Sequence, residues 1–297
     1  MYTPLMNNKS YIYFLLILIS LIWAGSFIVV KNAIEEIDPI ELGFLRFLVA
    51  TPIMFLILFF RKKSFRLPKK ELPSLTILGL TGVTLLYFFQ YIGISYTNAS
   101  TSAVLINTNV IFIAILSVFF LNETLPIKRI LGIILSFIGV IVVIISNLPM
   151  EIFIFNNVFF IGSIFVLLSA FCWAIYTIVG KKLLKKYDAL VITSYSFALG
   201  TIFYIPLVIP DFFIEIQRVS INLFSSIIYL AILCSVLGYI GWYYALREIE
   251  ASKAAVFLNL IPFFAIIMSV LLGEKITGIF IFGAILIIYG VYVTQKS

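Results

Sequence analysis

Apolar positions in this chain come in long unbroken blocks, separated by short polar turns. Ten blocks stand out, at 11–31, 40–60, 74–95, 99–120, 128–146, 157–180, 189–209, 222–246, 252–272 and 277–294. A stretch of about 20 apolar residues is long enough to cross a ~30 Å hydrocarbon layer as a helix. In lipid a helix satisfies its own backbone hydrogen bonds, and short connections make sequence neighbours into spatial neighbours. The pattern therefore predicts an all-α integral membrane protein with ten transmembrane helices. The first block follows a short polar start, MYTPLMNNKS, and no small-residue cleavage site follows it. It reads as a retained helix rather than a signal peptide.

The blocks repeat. Ser20 to Lys31 reads SLIWAGSFIVVK and Ala170 to Lys181 reads AFCWAIYTIVGK. At an offset of 150 residues Trp23 meets Trp173, Ala24 meets Ala174, Ile28 meets Ile178 and Lys31 meets Lys181. At an offset of 151, Ala103 meets Ala254, Phe112 meets Phe263, Glu123 meets Glu274, Gly132 meets Gly283 and Gly139 meets Gly290. The chain divides into a first unit, 1–148, and a second, 149–297, with five spans each. Five is odd, so the second unit enters the membrane from the other side. The expected architecture is two inverted five-helix repeats, an arrangement common in transporters because it supplies two conformations of similar energy.

Composition agrees with a bilayer as solvent. Hydrophobic residues make up 63% of the chain and charged residues 11%, with a mean hydropathy of +1.19. The net charge of +7 does not point to nucleic acid, because the basic residues sit in short loops between spans rather than on one soluble face. Arg61, Lys62, Lys63, Arg66, Lys69 and Lys70 follow the second span, and Lys181, Lys182, Lys185 and Lys186 follow the sixth. Lys128, Arg129, Arg247 and Lys253 fall on the same side, while the other carries Glu35, Glu36, Asp38, Glu41, Glu151, Asp211, Glu215 and Glu274 against Lys31, Arg218 and Lys275. The positive-inside rule then puts both termini in the cytoplasm of a multi-pass cell-membrane protein. Cys172 and Cys234 lie inside apolar runs and suggest no disulfide framework. The absence of histidine removes the commonest proton shuttle and metal ligand.

Several segments carry a family resemblance. Ala99 to Val143 and Ala251 to Val293 resemble the later part of the EamA-type repeat of the drug/metabolite transporter superfamily. WAGSFIVVK and Phe44 to Pro52 (FLRFLVATP) resemble its first two helices. The resemblance covers nearly the whole chain and implies a carrier for small organic solutes. It implies that the first, third and fourth spans face the sixth, eighth and ninth, and it marks Glu123 and Glu274 as motif positions. The family's fourth-span proline is replaced here by Val110 and Ile111, whereas the ninth span keeps Pro262. A kink used in gating is thus expected in the ninth span.

Polar and aromatic residues deep in the spans are the candidates for a site. Arg46 lies seven residues after Pro39, about 10 Å below the outer boundary at 1.5 Å per residue. An intramembrane arginine either faces a cavity, where it can anchor an anion, or snorkels to the headgroups. Tyr87, Gln90 and Tyr91 lie in the third span, Asn107, Thr108 and Asn109 in the fourth, and Tyr239, Trp242 and Tyr243 in the eighth. Asn259 lies in the ninth, while Trp23 and Ser26 match Trp173 and Tyr176. Amides in hydrocarbon need partners, so each is either interhelical glue or the wall of a wet cavity. The lining expected is Trp23, Arg46, Tyr87, Tyr91, Asn107, Trp173, Tyr239, Trp242 and Asn259. Glu123 and Glu274 sit where a helix dipole disfavours acids, so each is expected to act as a loop latch or a gate, with Lys128 or Arg129 as a local partner for Glu123.

These features point to a secondary transporter moving a small organic metabolite, an amino acid or similar, by alternating access. The alternative is an uncoupled facilitator or channel. No Walker A motif is present and no cofactor or metal is expected. An enzyme would need a nucleophile motif, a metal cluster or a mid-membrane acid pair. The expected partners are a small-molecule substrate and the lipid bilayer, with no nucleic acid, in a monomer or homodimer.

Overall fold

The computed structural model describes residues 10–61, 69–97, 102, 105–145, 157–208, 220–271 and 277–297. Among them the fold is all-helical. The segments are α1 (Ser10–Ala33), α2 (Pro39–Phe60), α3 (Lys69–Tyr96), α4 (Leu105–Leu121), α5 (Ile127–Ile145), α6 (Asn157–Leu184), α7 (Ala189–Leu207), α8 (Ile221–Glu248), α9 (251–271) and α10 (Gly278–Gln295). Seven of these are long and apolar enough to cross a membrane: α1, α2, α3, α6, α7, α8 and α10. Glu274 and some of the loop charges that orient the chain, Lys63 and Asp211 among them, lie outside the described residues.

Matched sequence builds matched local structure in the two halves. Asp38 accepts a hydrogen bond from the Ile40 N–H at 2.8 Å and starts α2, and Asp188 does the same for Leu190 at 3.0 Å at the start of α7. Such side-chain caps contribute about 1 kcal/mol each. Leu80–Thr84 in α3 and Tyr229–Leu237 in α8 are both π-helical. Insertions of this kind re-aim side chains and recur at functional sites.

The helices pair as a two-fold axis requires. α3 packs on α6 as α8 packs on α1, α4 on α6 as α9 on α1, and α3 on α7 as α8 on α2. Three pairs join a helix to its own counterpart: α2 with α7, α4 with α9, and α5 with α10. The last is the tightest. A Cβ built on Gly132 would lie 2.8 Å from the Gly290 carbonyl oxygen, and one on Gly139 would lie 2.8 Å from that of Gly283. Only glycine permits so close an approach of two backbones. Residue numbers rise along α5 as they fall along α10, so the two helices are antiparallel.

Residues that touch their own repeat counterpart mark the axis. Phe47 meets Phe197 edge-on at 5.0 Å and Trp23 meets Trp173 edge-on at 5.3 Å. The Thr51 and Thr201 hydroxyls are 2.9 Å apart. Beside them, the hydroxyls of Tyr87 and Tyr239, from the third and eighth helices, are 3.0 Å apart. The axis thus runs through a column of aromatic rings at the centre of the bundle. Outside it, Phe14, Phe60, Phe119 and Ile221 leave apolar surface uncovered, as a lipid-facing wall should.

Candidate functional site

A cavity of about 570 Å³ lies among α1, α2, α3, α4, α6, α8 and α9. That volume suits a small organic molecule. α1 contributes Trp23, Ser26 and Lys31 to the lining, α2 Arg46, and α3 Tyr87, Gln90 and Tyr91. α4 contributes Asn109, α6 Ser169 and Trp173, α8 Tyr239, and α9 Leu258. Among the described residues the cavity reaches the surface beside the exposed side chains of Lys31, Glu35 and Ser95. These lie at the C-terminal ends of α1 and α3 and in the turn after α1.

Arg46 does not snorkel. Its side chain is 3% exposed and stays in the bundle. Its Nε donates to the Ser235 hydroxyl at 2.6 Å and its Nη1 to the Tyr91 hydroxyl at 3.4 Å. The guanidinium carbon lies 4.3 Å from the Tyr87 ring centre. The π-helical turn of α8 carries Ser235 to this position, where its hydroxyl also donates to the Leu230 carbonyl at 3.0 Å. Among the described residues, then, the hydrogen-bond partners of this cation are neutral.

The floor of the cavity is aromatic. The Trp23 indole N–H donates to the Cys234 carbonyl at 3.0 Å, and the Tyr239 hydroxyl to the Gly82 carbonyl at 2.7 Å. Trp173 stacks on Tyr176, which stacks on Tyr243 at 4.8 Å with the planes 10° apart. Below them the far end is closed by charge. Asn122, at φ 56° in the left-handed region that asparagine tolerates, ends α4 and redirects the chain. Glu123 then reaches α9, accepting from the backbone N–H of Ala251 at 2.6 Å and of Ser252 at 3.1 Å. The Ser252 hydroxyl donates to it at 2.9 Å, and the Lys181 ammonium lies 3.5 Å away. Lys181 also donates to the Ile249 carbonyl. Arg129 pairs with Glu250 at 2.6 Å and donates to Ser252 at 3.1 Å. Burial works against a charge on Glu123. The Ala251 N–H, the Lys181 ammonium and Ser252 overcome it, and hold the carboxyl below the usual carboxylate value. The acid therefore caps the N-terminus of a helix in the other half of the chain, where the dipole favours it. Its partners are not the neighbours Lys128 and Arg129 that sequence proximity suggested.

Of the nine expected lining residues, the structure brings Trp23, Arg46, Tyr87, Tyr91, Trp173 and Tyr239 to the cavity. It leaves three elsewhere. Trp242 is fully buried below the floor, its indole N–H directed at the Thr177 hydroxyl at 3.3 Å. Asn259 is also fully buried, and its amide donates to the Ser136 hydroxyl of α5 at 2.7 Å, the interhelical glue role. Asn107 is 3% exposed and outside the lining. Pro262 is buried in α9 just after a 3₁₀ turn, Val256–Asn259. Its missing N–H cannot bond the Leu258 carbonyl, which explains the irregular turn there. Lining residues that spacing alone does not single out include Ser169 and the mouth pair Lys31 and Glu35. The match between Lys31 and Lys181 was a usable signal for Lys31. Ser235, the partner of Arg46, had none, because a π-helical turn shifts the face it occupies.

Comparison with known proteins agrees with this architecture. The EamA-like transporter family matches residues 10–145 and again residues 160–295. The chain belongs to the EamA-like transporter family. It is 40% identical over 98% of its length to a protein of Archaeoglobus fulgidus described as an uncharacterized transporter, 99% of which is covered. It is 29% identical to the uncharacterized transporter YyaM of Bacillus subtilis, over 94% of this chain and 92% of that one. A "Probable amino-acid metabolite efflux pump" of Salmonella typhimurium is 28% identical over 94% of this chain and 93% of its own. A solved crystal structure at 17% identity shares the fold, with a TM-score of 0.77 over 97% of both chains. This EamA-family member is thus a multi-pass membrane transporter and not an enzyme.

Proposed function

We propose that the chain is a secondary carrier of a small organic metabolite, an amino acid or similar, working by alternating access across the cell membrane. In this reading ten helices span the bilayer as two inverted five-helix units, 1–148 and 149–297, with both termini in the cytoplasm. One observation carries it. A central cavity on the pseudo-two-fold reaches the surface at one end, while the other end is closed by stacked rings and by the contacts of Glu123, Lys181, Arg129 and Glu250. By the positive-inside rule the reachable end faces outward and the closed end faces the cytoplasm. Exchanging the roles of the two halves would open the closed end and close the other. The amino-acid element draws on the name of the Salmonella relative and on a site whose described residues include one deep cation and aromatic walls.

The test is counterflow in proteoliposomes. Unlabelled solute trapped inside should accelerate uptake of the same labelled solute, because a carrier returns faster when loaded. A channel shows no such trans-acceleration, and that result would replace the carrier reading. The closed floor favours the carrier, since a channel needs a continuous path.

A further inference from the structure

The charge pattern of the cavity narrows what it can hold. Among the described residues, its charged lining residues are Lys31, Glu35 and Arg46. Lys31 and Glu35 carry opposite charges and both are exposed at the mouth. Arg46 is the deep one, and its Nε and Nη1 are already directed at Ser235 and Tyr91. Its Nη2 has no hydrogen-bond partner among the described residues. A buried guanidinium whose protein partners are neutral is left with an uncompensated charge, which is costly in a low-dielectric site. An incoming anion relieves that cost. Carboxylate oxygens match the planar fork of donors, and the Tyr91 and Ser235 hydroxyls hold the fork in place. A phosphate dianion would want a second deep cation, and an amine would meet repulsion. The Trp23 and Trp173 rings line the same cavity and supply flat apolar surface there.

We infer that the cavity selects organic monocarboxylates with a ring or other apolar body, the carboxylate seated on Arg46 and the body against Trp23 and Trp173. This rests on the carrier reading above and names the substrate class of that same site. An α-amino acid qualifies through the carboxylate it shares with the simple acid. No buried acid among the described lining residues awaits an amino group, so the amine is not what the site recognises.

The experiment measures binding to the purified full-length protein in nanodiscs, by thermal shift and by tryptophan fluorescence. The probes are phenylacetate, indole-3-acetate and phenylalanine, with phenylacetamide, phenethylamine and phenyl phosphate as matched controls. The acids should bind at least about tenfold more tightly than phenylacetamide and phenethylamine, a difference of ~1.4 kcal/mol. They should also outbind phenyl phosphate. Phenylalanine against phenylacetate reads what an amino group adds. Arg46→Gln should erase the preference for acid over amide, and Arg46→Lys should keep only part of it. Equal binding of acid and amide by the parent protein overturns the inference, as does preference for the amine or the phosphate. So does no acid binding at millimolar concentration. The parent measurements decide the matter even where Arg46→Gln fails to fold. Failure here stays separate from failure of the carrier reading: counterflow of an amine or neutral solute would refute the inference and leave the carrier standing.

Discussion

Lys31 and Lys181 hold the same place in the two repeats and live in opposite surroundings. Lys31 is exposed at the mouth of the cavity. The Lys181 side chain is 16% exposed, beside Glu123 and the Ile249 carbonyl. One cause of the difference is conformational, since the halves meet around Lys181. A second is written into the chain. Ser26 lines the cavity, whereas its counterpart Tyr176 fills the space beneath the floor against Tyr243. A cavity displaced toward one end thus has two sources, and substitutions can separate them.

Glu123→Ala should have the largest effect. It removes three hydrogen bonds and leaves Lys181 short of its carboxylate. Breaking a largely buried ion pair from one side costs about 3–5 kcal/mol. The thermal midpoint should fall, and a cysteine placed at the buried position Thr177 should become reactive to an impermeant thiol reagent added on the Glu123 side of the membrane. Unchanged reactivity would make the latch a fastener of loops and not a gate.

Tyr176→Ser gives the second half the residue of the first. Removing a fully buried ring costs about 3 kcal/mol. If residue identity sets the position of the cavity, water-soluble quenchers added on the Glu123 side of the membrane should then reach Trp242. If only conformation sets it, quenching should match the parent.

Acidification tests the latch by linkage. The folded carboxyl of Glu123 sits below its ordinary value, so its contribution is complete above the unfolded pKa of ~4.3 and is lost as pH falls through the lower folded value. The stability gap between the parent and Glu123→Gln should be flat through neutral and mildly acid pH and shrink below that range. A gap that closes near neutrality would assign the coupling to another group.

The smallest effects come from the lysines themselves. Lys181→Ala should destabilise by about 1–2 kcal/mol, because it removes a charged hydrogen bond while Glu123 keeps its backbone donors. Lys31→Ala should stay within about 0.5 kcal/mol, as an exposed side chain does. Equal losses in thermal denaturation would mean that the two ends are alike in solution.

Much of this was legible in the residue order, and for definite reasons. Block length and short loops announce membrane helices because lipid offers the backbone no other hydrogen-bond partners. Matched residues such as Trp23 with Trp173 and Gly139 with Gly290 announce the repeat. The depth of Arg46 and the four-residue spacing of Tyr87 and Tyr91 nominate a lining, since such spacing shares a helix face. Tertiary structure decided the rest. It turned Arg46 inward onto Ser235, set Trp242 and Asn259 aside from the cavity, and paired Glu123 with α9 instead of its neighbours. Local pattern is blind to these outcomes. They depend on which helices approach across the two-fold and on π and 3₁₀ turns that shift a face. Sequence alone settled that there are two like halves; only their packing made them unlike.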